Sequence, residues 1–540
     1  MKKIIYTIIT GAALLAGASS CSLDQYPHTS DTAANVYTST EGYQSVLSGI
    51  YAAMIQRISS VSDEERSQNY IRTLMMFQDC STDACDAIWL SGESLTDVNG
   101  LSWNASDSWC SAMYYHIYNI VTMCNDLIKN ASDEDLLSRF SESERAVIEG
   151  YRNEARFLRA YAYSHAIDFY NKMPFVDENS SIGANIIPET YDRSQMFSYI
   201  VEELSEIAPL LEVSNYGHAT RGAAYALLAR VYLNSEVYTG SADVANYNAC
   251  ITACKNAMEC GYSLESDYGK IFNADNHLRS NEIIFALACD ASHTTTWDAT
   301  TFITCGEVLS NFDNYAEIWG TENSGAWNNL RARPDLVDAF QSGDTRARFI
   351  SYDRTVSGTD GSETTYTTTE RSKDITAHDD ATTGYRICKW TNLNDAGEPA
   401  SDCSTNGANT DFPVLRLADV YLMLAEAVVR GGTEATMSEA LSYVNLVRQR
   451  AFGSTDGNIG QDELTLDFLC QERLREMYME CIRRTDLIRF GKYTSGYNWQ
   501  WKANVYEGAD VDSKYRFLPI PEAEYSVNPQ TQTINNELGF

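Results

Sequence analysis

Cations are scarce in this 540-residue chain: 40 Lys and Arg stand against 74 Asp and Glu, a formal net charge of −34 at pH 7. Binding to a phosphate backbone or an anionic lipid surface depends on clustered Lys and Arg, so nucleic acid and acidic headgroups are excluded as partners of such a surface. Histidine is scarcer still. The seven present are not spaced as metal ligands or as part of a catalytic triad. The glycine-rich phosphate loops are absent, as are H-E-x-x-H and G-x-S-x-G, and no local carboxylate pattern nominates a glycosidase pair. There is no C-x-x-C, and Cys250, Cys254 and Cys260 lack the nearby His of a zinc site, so they read as small core residues. These absences favour binding over catalysis. Past the first twenty residues no apolar run is long enough to cross a bilayer, which takes about 20 residues. What the chain has in quantity is flat amphipathic surface, with 34 Tyr and 9 Trp, suited to neutral ligands.

The N-terminus reads MKKIIYTIITGAALLAGASSCSLDQYP. Lys2 and Lys3, the apolar run Ile4 to Leu15 and the small residues Ala16 to Ser20 have the layout of an export signal. Ala18-Ser19-Ser20-Cys21 is similar to a bacterial lipobox, with Ala where Leu is usual. The expectation is a signal peptide over 1–20, lipidation of Cys21, and a tether over 21–31 in which Pro27 resists helix formation. Removing Cys21 from the fourteen cysteines leaves thirteen, an odd number, so at least one thiol stays unpaired.

Helical periodicity dominates the rest, and the expected fold is mostly α. Tyr151 to Tyr170 places Ala155, Leu158, Tyr161, Ala162 and Ala166 on one small apolar face, and Ser194 to Leu211 reads as an amphipathic helix. The run AYALLARVYL (Ala224 to Leu233) echoes VYLMLAEAVV (Val420 to Val429). Each is followed by a turn and a second helical run, Asn246 to Cys260 and Ser438 to Arg450. Paired helices with alanine at the close approaches predict tetratricopeptide-like hairpins, a scaffold that holds something. Between residues 288 and 413 the texture changes to Thr, Ser, Gly, Asp and Asn with Trp297, Trp319, Trp327 and Trp390 among them. This predicts a loop-rich insertion packed on the scaffold, where binding residues sit, with the Thr- and Gly-rich stretch 353–377 as a mobile part of it.

Two non-helical stretches set tryptophan among polar residues. Trp89 lies in STDACDAIWLSGES, ahead of Trp103 and Trp109, and Trp327 lies in NSGAWNNLRARPDLVDAF. A sugar ring has an apolar C–H face and a hydroxyl rim, which an indole and neighbouring amide or guanidinium groups complement.

RFLRAYAYSHAIDFYNKMPFVDE, RGAAYALLARVYLNSEVYTG, FPVLRLADVYLMLAEAVVRGG, ERLREMYMECIRRTDLIRFGKY and FLPIPEAEYSVNPQ, with the lipobox, resemble in order the blocks of SusD/RagB outer-membrane lipoproteins. The resemblance implies a mostly α fold with four tetratricopeptide-like hairpins on one side and a ligand surface on the other. It divides the chain into an N-terminal part, 32–270, and a C-terminal part, 271–540, with a helical hairpin over 414–493. It implies a non-catalytic lipoprotein at the outer membrane, facing outward, that captures oligo- or polysaccharide and passes it to a SusC-like TonB-dependent transporter. The acidic cluster that often follows the lipidated cysteine in surface-exposed lipoproteins is reduced here to Asp24.

By similarity to the family's starch-binding prototype, Trp89 and Trp327 are the stacking residues, Arg72 a polar contact and Phe302 a further aromatic. Ala87 stands where the prototype has a second tryptophan and Gly92 where it has a polar contact, so the platform is incomplete and starch itself is in question. Glu282, Asn409 and Asp411 correspond to a calcium site of the prototype; no other cofactor is implied. Two other readings of the residues are a tetratricopeptide-type scaffold that binds proteins, and a surface glycosidase.

Overall fold

The computed structural model describes residues 33–57, 69–181, 186–294, 297, 299–308, 315–321, 327–357, 365–403 and 407–540. Cys21, the signal segment and the tether lie outside them. The longer helices are α1 (Thr40–Ile55), α2 (Ser108–Asn130), α3 (Glu142–Phe169), α4 (Arg193–Ile207), α5 (Arg221–Leu233), α6 (Val244–Met258), α7 (Leu417–Val429), α8 (Met437–Phe452) and α9 (Leu466–Met477). From α2 to α8 each packs on the next in the series, and α9 joins beside α7. Taken as successive pairs, α3 with α4, α5 with α6 and α7 with α8 are three tetratricopeptide-like hairpins, with α2 and α9 at the two ends. The two hairpins foreseen from the sequence echo are α5 with α6 and α7 with α8.

Local chemistry sets the helix ends. Ser141 starts α3 with a capping box shared with Glu144, nine residues ahead of the start read from periodicity. Asp192 and Gln195 do the same for α4. Pro209 sits in a 3₁₀ turn, Ala208–Leu210, that takes over where α4 stops. Alanines 223, 224, 226 and 229 of α5 are buried without adding bulk, which is how neighbouring helices come close. The turn after α7 has the same need: a Cβ on Gly432 would lie 2.6 Å from Ile251 Cδ1 of α6.

A single apolar core runs through both the N-terminal and C-terminal parts, with Tyr51, Phe157 and Tyr161 meeting Phe285. Cys250 and Cys254 lie in it as small residues. In the C-terminal part the core is also ionic. Asp419 of α7 accepts from Arg230 and Arg473, Glu426 from Arg430 and Arg489, and Glu472 of α9 from Arg346, Arg448 and Arg475. Burial alone would raise the carboxyl of Glu472, but Arg346, Arg475 and Arg448 hold it down to about 2. Glu426 is likewise held at about 2 by Arg489 and Arg430 against the cost of burial.

Among the described residues, 288–413 carry three short helices and most of the small antiparallel ladders. Among the described residues every sheet has two strands. β1 (Cys85–Ala87) pairs with β5 (Leu330–Ala332), and β4 (Ile283–Leu287) with β10 (Phe412–Arg416). Along the Thr- and Gly-rich stretch, Tyr352–Ser357 pairs residue for residue with Thr365–Glu370. β-branched threonine, read as loop composition, serves here as strand composition.

Candidate functional site

The β1–β5 ladder joins the two tryptophan-bearing stretches. Its pairs are Cys85 with Ala332, Asp86 with Arg331 and Ala87 with Leu330, and the N–H of Ile88 extends it by donating to the carbonyl of Asn329 at 2.6 Å. Register then brings Trp89 and Trp327 to the same end of the ladder, a step beyond its last bond. The ladder is anchored from within: buried Asp86 accepts Arg331 Nε at 2.8 Å and faces Arg333 Nη2 at 3.2 Å. Burial works against the charge on Asp86, but Arg333 and Arg331 overcome it and hold this carboxyl well below the usual range.

Trp89 and Trp327 share this end of the ladder, and Trp297 packs on Trp327. Trp89 is 43% exposed and Trp297 is 44% exposed. Trp327 is half-buried between Trp297, at 6.3 Å and 45°, and Phe302, at 6.2 Å and 43°. Asn328 takes a left-handed φ of 53°, which turns the chain at the ladder's edge. The N–H of Trp327 donates to the carbonyl of Cys305 at 3.0 Å and that of Asn328 to Val308 at 3.0 Å, fixing the loop to the end of the helix Ala299–Gly306.

Arg72 and Phe302 lie under this surface. Phe302 is 1% exposed and Arg72 5%, because the helix Ala299–Gly306 packs on the helix Tyr70–Met75. The guanidinium of Arg72 sits 3.9 Å over the Phe302 ring and donates to both carboxylate oxygens of Glu93, at 2.7 and 2.8 Å. Glu93 also accepts from Asn329 Nδ2 at 3.2 Å, while its carbonyl accepts from Trp109 Nε1 at 2.7 Å and its N–H donates to the carbonyl of Trp89 at 3.1 Å. Arg72 and Phe302 are therefore supports rather than a polar contact and a ligand-facing ring. Glu93, tied to Trp89 through its backbone, keeps 21% of its side chain exposed.

Two residues escaped the sequence reading. Glu93 carried no signal separating it from the other acidic residues. Trp297 did, since small polar neighbours around an indole mark Trp89, and Trp297 stands in the same kind of stretch, HTTTWDAT. Of the other tryptophans noted, Trp103, Trp109, Trp319 and Trp390 are core residues. Ala87 is buried in β1, and a side chain at Gly92 would meet open space.

The residues expected to hold calcium do not form one site. Glu282 precedes Ile283 at one end of the β4–β10 ladder, and Asp411 precedes Phe412 at the other, where Phe412 pairs with Leu287. Their oxygens are also taken. Glu282 accepts from Arg450, Arg416 and the N–H of Glu265. Asp411 accepts from the N–H of Cys289 at 2.7 Å and Tyr216 Oη at 2.8 Å, and Asn409 Oδ1 accepts from Ala291 N–H at 2.8 Å.

Two family models match in succession. One, "Starch-binding associating with outer membrane", covers residues 44–233. The other, "SusD family", covers residues 281–537. The starch-binding protein SusD of Bacteroides thetaiotaomicron is 28% identical over 512 residues, spanning 86% of this chain and 85% of its own length. A SusD-like protein of Bacteroides ovatus is 24% identical over 538 residues, spanning 96% of this chain and 89% of its own. Among solved structures, a SusD homologue from B. thetaiotaomicron superposes with a TM-score of 0.71 at 18% identity, covering 93% of this chain and 98% of that one. Surface glycan-binding protein A of B. thetaiotaomicron, in complex with laminarihexaose, superposes with a TM-score of 0.67 at 21% identity, covering 92% of this chain and 99% of that one. With both models matching in order along nearly the whole described length, the chain belongs to the SusD family, whose members associate with the outer membrane.

Proposed function

We propose that the chain is a non-catalytic glycan-binding lipoprotein of the outer membrane, anchored through Cys21, that holds a neutral oligo- or polysaccharide on Trp89, Trp297 and Trp327 and passes it to a SusC-like TonB-dependent transporter. One observation carries the binding half: exposed Trp89 and half-buried Trp327 share one end of the β1–β5 ladder, and exposed Trp297 packs on Trp327. Exposed indoles stack on sugar C–H faces, the Glu93 carboxylate accepts hydroxyl hydrogens, and the chain's net charge of −34 disfavours acidic sugars. The relatives named above support the ligand class, since one is named for starch and another was solved with laminarihexaose. Their α- and β-linked glucans differ too much in shape to fix the linkage here.

Soluble protein lacking residues 1–21 is assayed by affinity electrophoresis and calorimetry against neutral and acidic glycans. At least one neutral glycan binds, acidic ones do not, and no reducing sugar is released. Retention unchanged in a Trp89→Ala, Trp297→Ala double variant moves the site elsewhere. Release of reducing sugar makes the protein a glycosidase. Co-purification of a β-barrel from gently solubilised outer membrane tests delivery, and its consistent absence removes the transporter from the reading.

A further inference from the structure

Two cysteines bring distant segments of the loop-rich insertion together. Cys305 lies in the helix Ala299–Gly306, and Cys403, 98 residues on, lies near the insertion's far end. Their Sγ atoms are 3.4 Å apart, and both residues are fully buried. With Ala408 they form a small apolar cluster against which Trp327 packs. The carbonyl of Cys305 is the acceptor that holds the Trp327 N–H.

We propose that Cys305 and Cys403 are joined by a disulfide in the exported protein. A disulfide needs sulfurs about 2.05 Å apart, so closure takes an approach of about 1.4 Å, within the reach of small side-chain rotations on two residues already in contact. Exported chains meet disulfide donors, which cytosolic chains do not. The thiolate of one cysteine attacks a donor disulfide, forms a mixed disulfide and expels one donor thiolate. The second cysteine then loses its proton, attacks the mixed disulfide at the partner cysteine's sulfur and expels the second donor thiolate. The two protons released by the cysteines end on the two donor thiols, and the donor takes up both electrons.

Because both sulfurs are buried in the finished fold, exchange takes place during folding, before the insertion closes over them. The product ties the helix under the indoles to the far end of a segment that has little regular structure of its own. A loop of this length is where a cross-link restricts the unfolded chain most. Cys250 and Cys254 offer no equivalent, since they lie one turn apart on α6 with parallel side-chain directions and would close almost no loop.

The chain is expressed with its own N-terminal segment, whole cells are quenched in acid, and the protein is alkylated in denaturant without reductant and mapped by mass spectrometry. The expected result is a linked pair of peptides containing Cys305 and Cys403, lighter by two hydrogens than the sum of the free peptides and separated by reductant. Full alkylation of both residues, or a bridge from either to another cysteine, overturns the proposal. Thermal unfolding gives a second measure. Reductant lowers the melting temperature of the wild type by several degrees and leaves Cys403→Ala unchanged; an equal response of the two proteins also overturns it. Neither readout depends on a glycan.

Discussion

Buried arginine is used differently in the two halves of the C-terminal part. On the scaffold side arginines meet carboxylates of neighbouring helices: Arg473 reaches Asp419 and Asp486, and Arg489 reaches Glu426 and Asp486. Helices satisfy their own backbone, so the side chains are free to pair with one another. In the insertion buried arginines pair with carboxylates too, as Arg346 does with Asp344 and Glu472, but three of them also meet carbonyls. Arg331 donates to the carbonyls of Asp380, Thr383, Ala377 and His378, Arg371 to those of Gly384, Ala381 and Thr383, and Arg386 to those of Leu330 and Ala381. A loop-rich segment leaves its carbonyls without ladder partners, and each buried one must find a donor. Five donors in a rigid fork make one arginine a substitute for a strand. The insertion that carries Trp327 is thus held by guanidinium groups where a sheet would otherwise serve.

The largest effect is therefore expected from removing one of those groups. Arg331→Ala takes a donor from four carbonyls, leaving that of His378 without one, and leaves Asp86 only Arg333 and His378. Breaking a buried pair on one side costs about 3–5 kcal/mol, which urea unfolding reads directly. Glycan retention falls with it, because β5 loses its anchor. Loss of stability below about 1 kcal/mol would show that the loops are held by something other than Arg331.

The scaffold breaks in another way, with acid. Glu472 and Glu426 are held at about 2 in the fold, against about 4.3 for a free glutamate. Depressed carboxyls contribute stability that is complete above the unfolded value and is lost as pH falls through the folded one. The urea midpoint is expected to drop steeply between about pH 5 and pH 2, with Glu472→Gln and Glu426→Gln each flattening the slope while lowering stability at pH 7. A slope unchanged by either variant would mean that other carboxylates govern acid unfolding.

The same contrast explains how much was legible in the sequence. The helices of the scaffold announced themselves because a 3.6-residue period is a local property, and Ala224–Leu233 and Val420–Val429 carried it twice. The ladder between β1 and β5 joins residues more than 240 positions apart, as Asp86 and Arg331 show, and no local period records such a pairing. Trp89 and Trp327 are named by composition and family resemblance. The burial of Arg72 and Phe302 was not, since it depends on the packing of the helix Ala299–Gly306 against Tyr70–Met75. The separation of the residues named for calcium was hidden for the same reason: Glu282 and Asp411 are placed by β4 and β10, whose pairing sets them at opposite ends.

At the exposed indoles the expectation reverses, with a large effect on ligand and little on fold. Trp89→Ala removes a ring that is 43% exposed, so stability moves by no more than about 0.5 kcal/mol. Loss of a stacking tryptophan weakens binding by about 2 kcal/mol, roughly thirtyfold. Phe302→Ala inverts the pattern, because a buried ring is lost along with the floor of the site; its stability cost, about 3–5 kcal/mol, precedes any effect on ligand. Equal stability losses in the two variants would mean that Trp89 is part of the core after all.

The smallest effect separates a carboxyl that is held from one that is merely enclosed. Glu307 follows the helix Ala299–Gly306, is fully buried, and has neither carboxyl oxygen in a hydrogen bond among the described residues. Burial pushes its carboxyl well above the ordinary range, the nearby Arg386 and Lys389 offsetting only part of that. The folded state then binds a proton that the unfolded state releases, so this residue's contribution weakens as pH rises above the unfolded value of about 4.3. Glu307→Gln removes the titration while keeping the shape. Its melting temperature is expected to match the wild type below pH 4 and to exceed it modestly at pH 7, and calorimetric scans at the two pH values measure the difference. A variant less stable than the wild type at pH 7 would mean that Glu307 is ionised and paired, most simply with Arg386, whose guanidinium would then serve a carboxylate as well as carbonyls.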